Sequence, residues 1–182
     1  QQLSTCEYVF PAANHNRFSH SLGAYHLART LVDSLNDVQP GLVSDDDAEL
    51  IQLAALLHDI GHPPFSHLLE SPEVFATYHS HEHWGRVLLE SEDTEVGIAL
   101  LEALGRTRRD RLFALLDGAK EHEGIAIPPF MKEIVSSQLD VDRMDYMVRD
   151  QANTGAQIGG FDIARVIRAL RVSDDGHFFV KS

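Results

Sequence analysis

Leu56-Leu57-His58-Asp59-Ile60-Gly61-His62-Pro63-Pro64-Phe65-Ser66-His67 is the stretch on which the reading of this chain turns. An apolar run, Leu50, Ile51, Leu53, Ala54 and Leu57, leads into it at helical spacing. It wraps most of the helix circumference, which predicts the most buried helix of the fold. An imidazole and a carboxylate set side by side at the end of such a helix are costly to bury unless they are paired, hydrogen-bonded or bound to a cation. Gly61, Pro63 and Pro64 then stop the helix. Three histidines and an aspartate around that break point to a functional site rather than to packing.

Working outward, Ser44 or one of Asp45-Asp46-Asp47 can cap this helix. Upstream, Ala28, Leu31, Val32 and Leu35 fall at i, i+3, i+4, i+7 and predict a helix over 19–36. His20 and Ala24 continue its buried face, so His20 should point inward. Downstream, helices are predicted at about 81–90, 94–104, 108–117, 129–138, 141–150 and 161–170. The one strand signal is at the end, where 170–172 and 177–180 flank Asp174-Asp175-Gly176 as a hairpin. The fold class is mostly α, a helical bundle with a small C-terminal β-hairpin.

Composition sets the bounds. A chain of 182 residues is one domain, able to bury roughly 70% of its unfolded surface. No apolar run approaches the ~20 residues of a membrane span, and the start does not resemble a signal peptide. The first residue is Gln1, so the natural start is expected upstream. The single cysteine, Cys6, rules out an internal disulfide and a Cys-rich zinc site, and a reducing, cytoplasmic setting is the default. A net charge of -13 argues against a nucleic-acid backbone binder, although a cation and local arginines can still receive a small anion. Asp45-Asp46-Asp47 reads as solvated surface. Arg106, Arg108, Arg109 and Arg111, the only basic cluster, read as a solvated helix start or as an answer to an acidic partner surface.

Nine of the eleven histidines lie between His15 and His83, and that clustering favours a site. A metal needs neutral imidazoles and carboxylates converging from rigid elements. His20, His58 and Asp59 qualify, with an acid from the segment 138–150. There Asp142, Tyr146 and Asp150 share a face at i, i+4, i+8, while Val141, Met144 and Val148 share another. Asp140 suits a helix N-cap. His79 and His83 read as surface, and His15, His26, His122 and His177 as structural or surface residues. A Gly-rich phosphate loop, a Gly-x-Ser-x-Gly elbow and a zinc-protease His-Glu-x-x-His are all missing from the sequence.

His20, His58-Asp59 and Asp142 resemble the H…HD…D signature of the HD-domain metal-dependent phosphohydrolases. Phe10-Pro11, His15 to Gly23, His58 to His67 and Asp140 to Asp150 further resemble the branch that hydrolyses deoxynucleoside triphosphates to nucleoside and triphosphate. The resemblance implies a single HD domain over 1–182, shorter than the full-length family. It implies that His20, His58, Asp59 and Asp142 hold a divalent metal (manganese, iron, magnesium, nickel or zinc). His62, His67 and His81 would line the reacting phosphate, with Glu70 positioning His67. Arg17 and Arg143 would contact phosphates, and Tyr146 and Asp150 the sugar. A dNTP substrate and a homo-oligomer are also implied, with no membrane and no nucleic-acid partner. Two alternatives stay open: a monophosphate or signalling nucleotide as substrate, or a nucleotide-sensing module with weak catalysis.

Overall fold

The computed structural model describes residues 1–65, 73–74, 79–157 and 160–181. His67 and Glu70 lie outside the described residues. Two long helices open the chain. Asn16 caps α1 (Arg17–Val38) by accepting from the Ser19 amide, and Ser44 caps α2 (Asp45–Leu57) by accepting from the Asp47 amide. Asp45, Asp46 and Asp47 sit in the first turn of α2, where the helix dipole favours negative charge. Between the two helices the Asn36 amide closes the loop by bonding both the N–H and the carbonyl of Val43.

α2 is the central helix, as its all-round apolar pattern predicts. It packs against α1 and against two later helices, α4 (Glu95–Leu116) and α5 (Pro129–Val135). Leu50, Ile51, Ala54 and Ala55 are fully buried. Burying each of the two larger side chains contributes about 1.5–3 kcal/mol, and Leu50→Ala would cost about 2–5 kcal/mol. α3 (His81–Glu90) lies on α4, α6 (Val141–Thr154) lies along α1, and α7 (Ile163–Ala169) also reaches α1. Gly155, with φ 71°, ends α6 in a left-handed cap that favours glycine.

Among the described residues, two small antiparallel hairpins complete the fold: β1 (Glu121–His122) with β2 (Ile125–Ala126), and β3 (Leu170–Val172) with β4 (Phe178–Val180). The Gln39 side chain ties the second to the end of α1, bonding both the N–H and the carbonyl of Val172. No helix among the described residues is long and apolar enough to cross a membrane.

Several elements differ from the sequence-based expectations. The helices expected at 94–104 and 108–117 form one element that kinks at Gly105, whose φ of 68° and ψ of 173° break the helical ladder. The helix expected at 129–138 stops at Val135, because Ser136 is extended and Asp140 captures the Ser137 amide. The β1–β2 hairpin carries no alternating pattern long enough to predict. Val148, expected on the apolar face of α6, is 43% exposed, and Asp145 is buried beside Val141 and Met144 instead. The acidic run of α2 is not merely solvated surface: Arg108 bonds Asp46 and Glu49, and Arg111 bonds Asp47, each at 2.6 Å. The basic and acidic clusters answer each other inside the chain, and Arg109 and Arg111 are buried.

Candidate metal centre

Each expected ligand reaches the site for a local reason. His20 follows the Asn16 cap by four residues and lies on the same face as Ala24 and Ala28, so the core face of α1 carries it inward to complete burial. His58 is the C-cap of α2 and Asp59 follows it, placing both at the tip of the central helix. Asp140 caps α6 by accepting from the Arg143 amide, as its position predicts, and Asp142 then falls in the first turn.

The four groups converge. His20 Nε2 is 3.0 Å from Asp142 Oδ1 and 3.7 Å from Asp59 Oδ2, and His58 Nε2 is 3.4 Å from both Asp59 Oδ1 and Asp142 Oδ1. Both Nε2 atoms are buried without a hydrogen-bond partner. Both rings spend Nδ1 on the side away from the site, His20 on Asp145 and His58 on the Ala55 carbonyl, each at 2.8 Å. Two imidazoles anchored through Nδ1, with bare Nε2 atoms facing two carboxylates, form a donor set for a divalent cation. Ligands at about 2.1 Å from a metal lie about 3.0–3.4 Å from one another, and three of these four distances fall in that range. The residues fit the metal that the sequence implies.

Charge agrees with geometry. Burial penalises the carboxylates of Asp59 and Asp142, yet the adjacent histidines, with Arg17 at Asp59, hold both well below the usual range. Burial likewise opposes a charged His20, but Asp142 and Asp145 outweigh it and raise its pKa to about 9. The His58 pKa is raised by Asp142 and Asp59 against the same penalty. The two carboxylates thus favour positive charge at this point of the site, as a bound cation would supply.

Asp59 belongs to a second convergent group, with His62 and His81, that could also hold an ion. His62 Nε2 is 3.3 Å from Asp59 Oδ1, and the His62 and His81 rings stack at 3.7 Å and 10°. Burial lowers the pKa of His62, and Arg17 and His81 reinforce the shift against Asp59. Gly61 makes this arrangement possible. A Cβ on Gly61 would lie 2.0 Å from the His81 carbonyl and 2.1 Å from the Gly85 amide, so the end of α2 meets the start of α3 backbone to backbone.

A cavity of 370 Å³ opens on the site, lined by His58, Asp59, His62, His81 and Asp142 and continuing to Arg86 and Lys132. A second cavity, lined by Arg17, His62 and, near the start of the chain, Gln1, Gln2, Ser4 and Tyr8, meets it at His62. Arg17 donates to Asp59 Oδ2 at 2.6 Å. The other expected substrate contacts are less gathered. Arg143 bonds the Ser137 carbonyl and is half exposed. Arg143, Tyr146 and Asp150 line neither cavity. Asp150 is instead buried against His15, with His15 Nε2 2.8 Å from Asp150 Oδ1.

Three of these residues carry no direct sequence signal of their role. His15, which reads as structural or surface, is the partner of Asp150. Asp145 bonds a ligand histidine, and Arg149 grips Asp145 through two nitrogens. A buried aspartate at an apolar phase of α6 was the available signal. His79 and His83 are exposed, as expected.

Comparison with known proteins places this geometry among relatives. A family model described as the HD domain matches residues 17–150. An uncharacterized protein of Bacillus subtilis, YwfO, is 37% identical over 175 residues, covering 96% of this chain and 37% of that protein. The human deoxynucleoside triphosphate triphosphohydrolase SAMHD1 is 34% identical over 204 residues, covering 96% of this chain and 31% of its own length. A crystal structure of a phosphohydrolase from Bacteroides thetaiotaomicron superposes with a TM-score of 0.80 at 34% identity, covering 99% of this chain and 40% of that one. The chain spans less than half the length of each of these relatives.

Proposed function

The chain belongs to the HD-domain family, and we propose that it is a divalent-metal-dependent phosphohydrolase acting on nucleotides, with a deoxynucleoside triphosphate as substrate and nucleoside plus triphosphate as products. The observation that carries the reading is the pair of buried, unpartnered Nε2 atoms of His20 and His58 facing Asp59 and Asp142 at the mouth of a cavity. The dNTP substrate is supported by likeness to the human triphosphohydrolase named above.

His20, His58, Asp59 and Asp142 would hold the cation. When bound, it supplies Lewis acidity, acidifying water and neutralising charge on a phosphoryl oxygen. Arg17 adds a guanidinium beside Asp59, where it can shift from the carboxylate to a substrate phosphate. His62, whose pKa burial lowers, faces the Asp59 carboxylate as a donor through Nε2, and that contact orients its ring for proton transfer to or from the substrate. His81 supports it by ring stacking. His67 with Glu70 is proposed to protonate the departing oxygen, on the strength of the family motif. Asp150 is proposed to meet the sugar, and His15 holds its carboxylate in one orientation.

The test is incubation with Mn²⁺ and, in turn, dGTP, GTP, dGMP and a cyclic nucleotide, with products separated by anion exchange. Nucleoside plus triphosphate from dGTP is the expected outcome. Release of pyrophosphate or monophosphate, or no turnover, would overturn it.

A further inference from the structure

We infer that Asp145 is the positioning residue that makes His20 a metal ligand, with Arg149 and Gly23 holding Asp145 in place for that task. The inference rests on the cation site proposed above and adds three residues outside its signature.

Three independent contacts carry it. First, His20 is wholly buried, and its Nδ1 lies 2.8 Å from Asp145 Oδ2. A carboxylate there accepts the Nδ1 proton, which leaves the Nε2 lone pair pointed at Asp59 and Asp142. The tautomer is therefore set by Asp145, and a charged acceptor behind an imidazole also makes it a stronger donor to a metal. His58 has only the neutral Ala55 carbonyl behind it, so the two histidines are unequal ligands and His20 is the stronger.

Second, Asp145 is itself clamped. Arg149, one turn further along α6, donates from Nε to Oδ2 at 2.7 Å and from Nη2 to Oδ1 at 2.8 Å. This two-point grip fixes the carboxylate plane as well as its position. Burial penalises the charged carboxylate, but His20 and then Arg149 hold its pKa below the usual range.

Third, α1 leaves room for the clamp. Gly23 is three residues after His20 on the same face of α1. A Cβ added there would lie 1.8 Å from Asp145 Oδ1 and 2.5 Å from Arg149 Nη2. The carboxylate and guanidinium thus occupy the space that any other residue at position 23 would fill. Gly23 is mid-helix, where glycine disfavours helix formation, and this contact accounts for its presence.

A buried ion pair that merely joined α1 to α6 would affect stability alone, so the test reads cation affinity directly. Mn²⁺ binding to the protein without nucleotide is measured by calorimetry for wild type, Asp145→Asn, Arg149→Lys and His20→Ala. Thermal midpoints of the cation-free proteins are recorded alongside. Asp145→Asn should weaken Mn²⁺ binding about 10–100-fold. Arg149→Lys, which keeps the charge and loses the fork, should weaken it by a smaller factor and serves if Asp145→Asn does not fold. In the wild type, ¹⁵N spectra of the His20 ring should show the proton on Nδ1 when a diamagnetic cation such as Zn²⁺ is bound. Wild-type affinity in every folded Asp145 and Arg149 variant, with only the melting temperature lowered, overturns the inference. Absence of Mn²⁺ binding in the wild type overturns the cation site itself, a separate outcome.

Discussion

Arg17 Nη1 donates to Asp59 Oδ2 at 2.6 Å, so the first residue of α1 neutralises a carboxylate at the tip of α2. Under the proposed function, substrate phosphate and Asp59 would compete for one guanidinium. Arg17→Ala should raise the nucleotide KM at least about tenfold, the loss of a charge-assisted contact. Mn²⁺ binding measured without nucleotide should not weaken, because Asp59 loses a competitor. Equal losses in both measurements would show that Arg17 serves only to build the site.

Cation binding should tighten as pH rises. The neighbouring carboxylates, against the penalty of burial, raise the pKa of His20 from 6.5 to about 9, and that of His58 moves in the same direction. At neutral pH a cation must displace the His20 proton, so apparent Mn²⁺ affinity should climb with pH and level off above about 9. The cation-free protein behaves in the opposite sense. A raised histidine pKa contributes stability that is complete below 6.5 and lost as pH rises through about 9. The lowered pKa values of Asp59 and Asp142 contribute stability present above 3.8 and lost as pH falls through their folded values. Calorimetry at four pH values, with and without Mn²⁺, separates the two trends; flat affinity across the series contradicts the first.

Gly61→Ala should damage activity more than stability. The added methyl would meet the His81 carbonyl and the Gly85 amide, both backbone groups with no room to yield. Separating α3 from α2 costs about 1–3 kcal/mol of unfolding free energy, as overpacking does. A shift of about 1 Å in His81 against His62 and Asp59 is enough for roughly a hundredfold loss in kcat. Urea unfolding and steady-state kinetics on the same preparation supply both numbers.

His15→Ala leaves the buried Asp150 carboxylate without its partner. The cost should be about 1–3 kcal/mol in urea unfolding. A change within 0.3 kcal/mol, the order expected of an exposed pair, would mean that the contact carries no weight.

Much of this was legible in the sequence because the signals were local. His58 and Asp59 are adjacent, Asp142 follows a capping aspartate, and the apolar phase of α1 pointed His20 inward. The helices of the core followed from 3.6-residue periodicity, and the final hairpin from its Asp-Gly turn. What escaped depends on partners distant in the chain. Asp145 shares the apolar phase of Val141 and Met144, and only its contacts on α1 explain a carboxylate there. His15 reads as structural or surface from sequence because Asp150 lies 135 positions away. Arg111 and Asp47 each looked solvated, since neither betrays the other across 64 residues. The β1–β2 hairpin has two residues in each strand, too few for any pattern to show.

The bond between His20 and Asp145 spans 125 positions, which has a kinetic consequence. Closing so long a loop costs chain entropy that only the assembled bundle repays. The ligand set therefore comes together late in folding, after α1 and α6 have docked, and no partly folded chain would chelate well. A cation that binds only the finished structure lowers the native state without lowering the barrier to reach it. Its removal should accelerate unfolding and leave the refolding rate nearly unchanged.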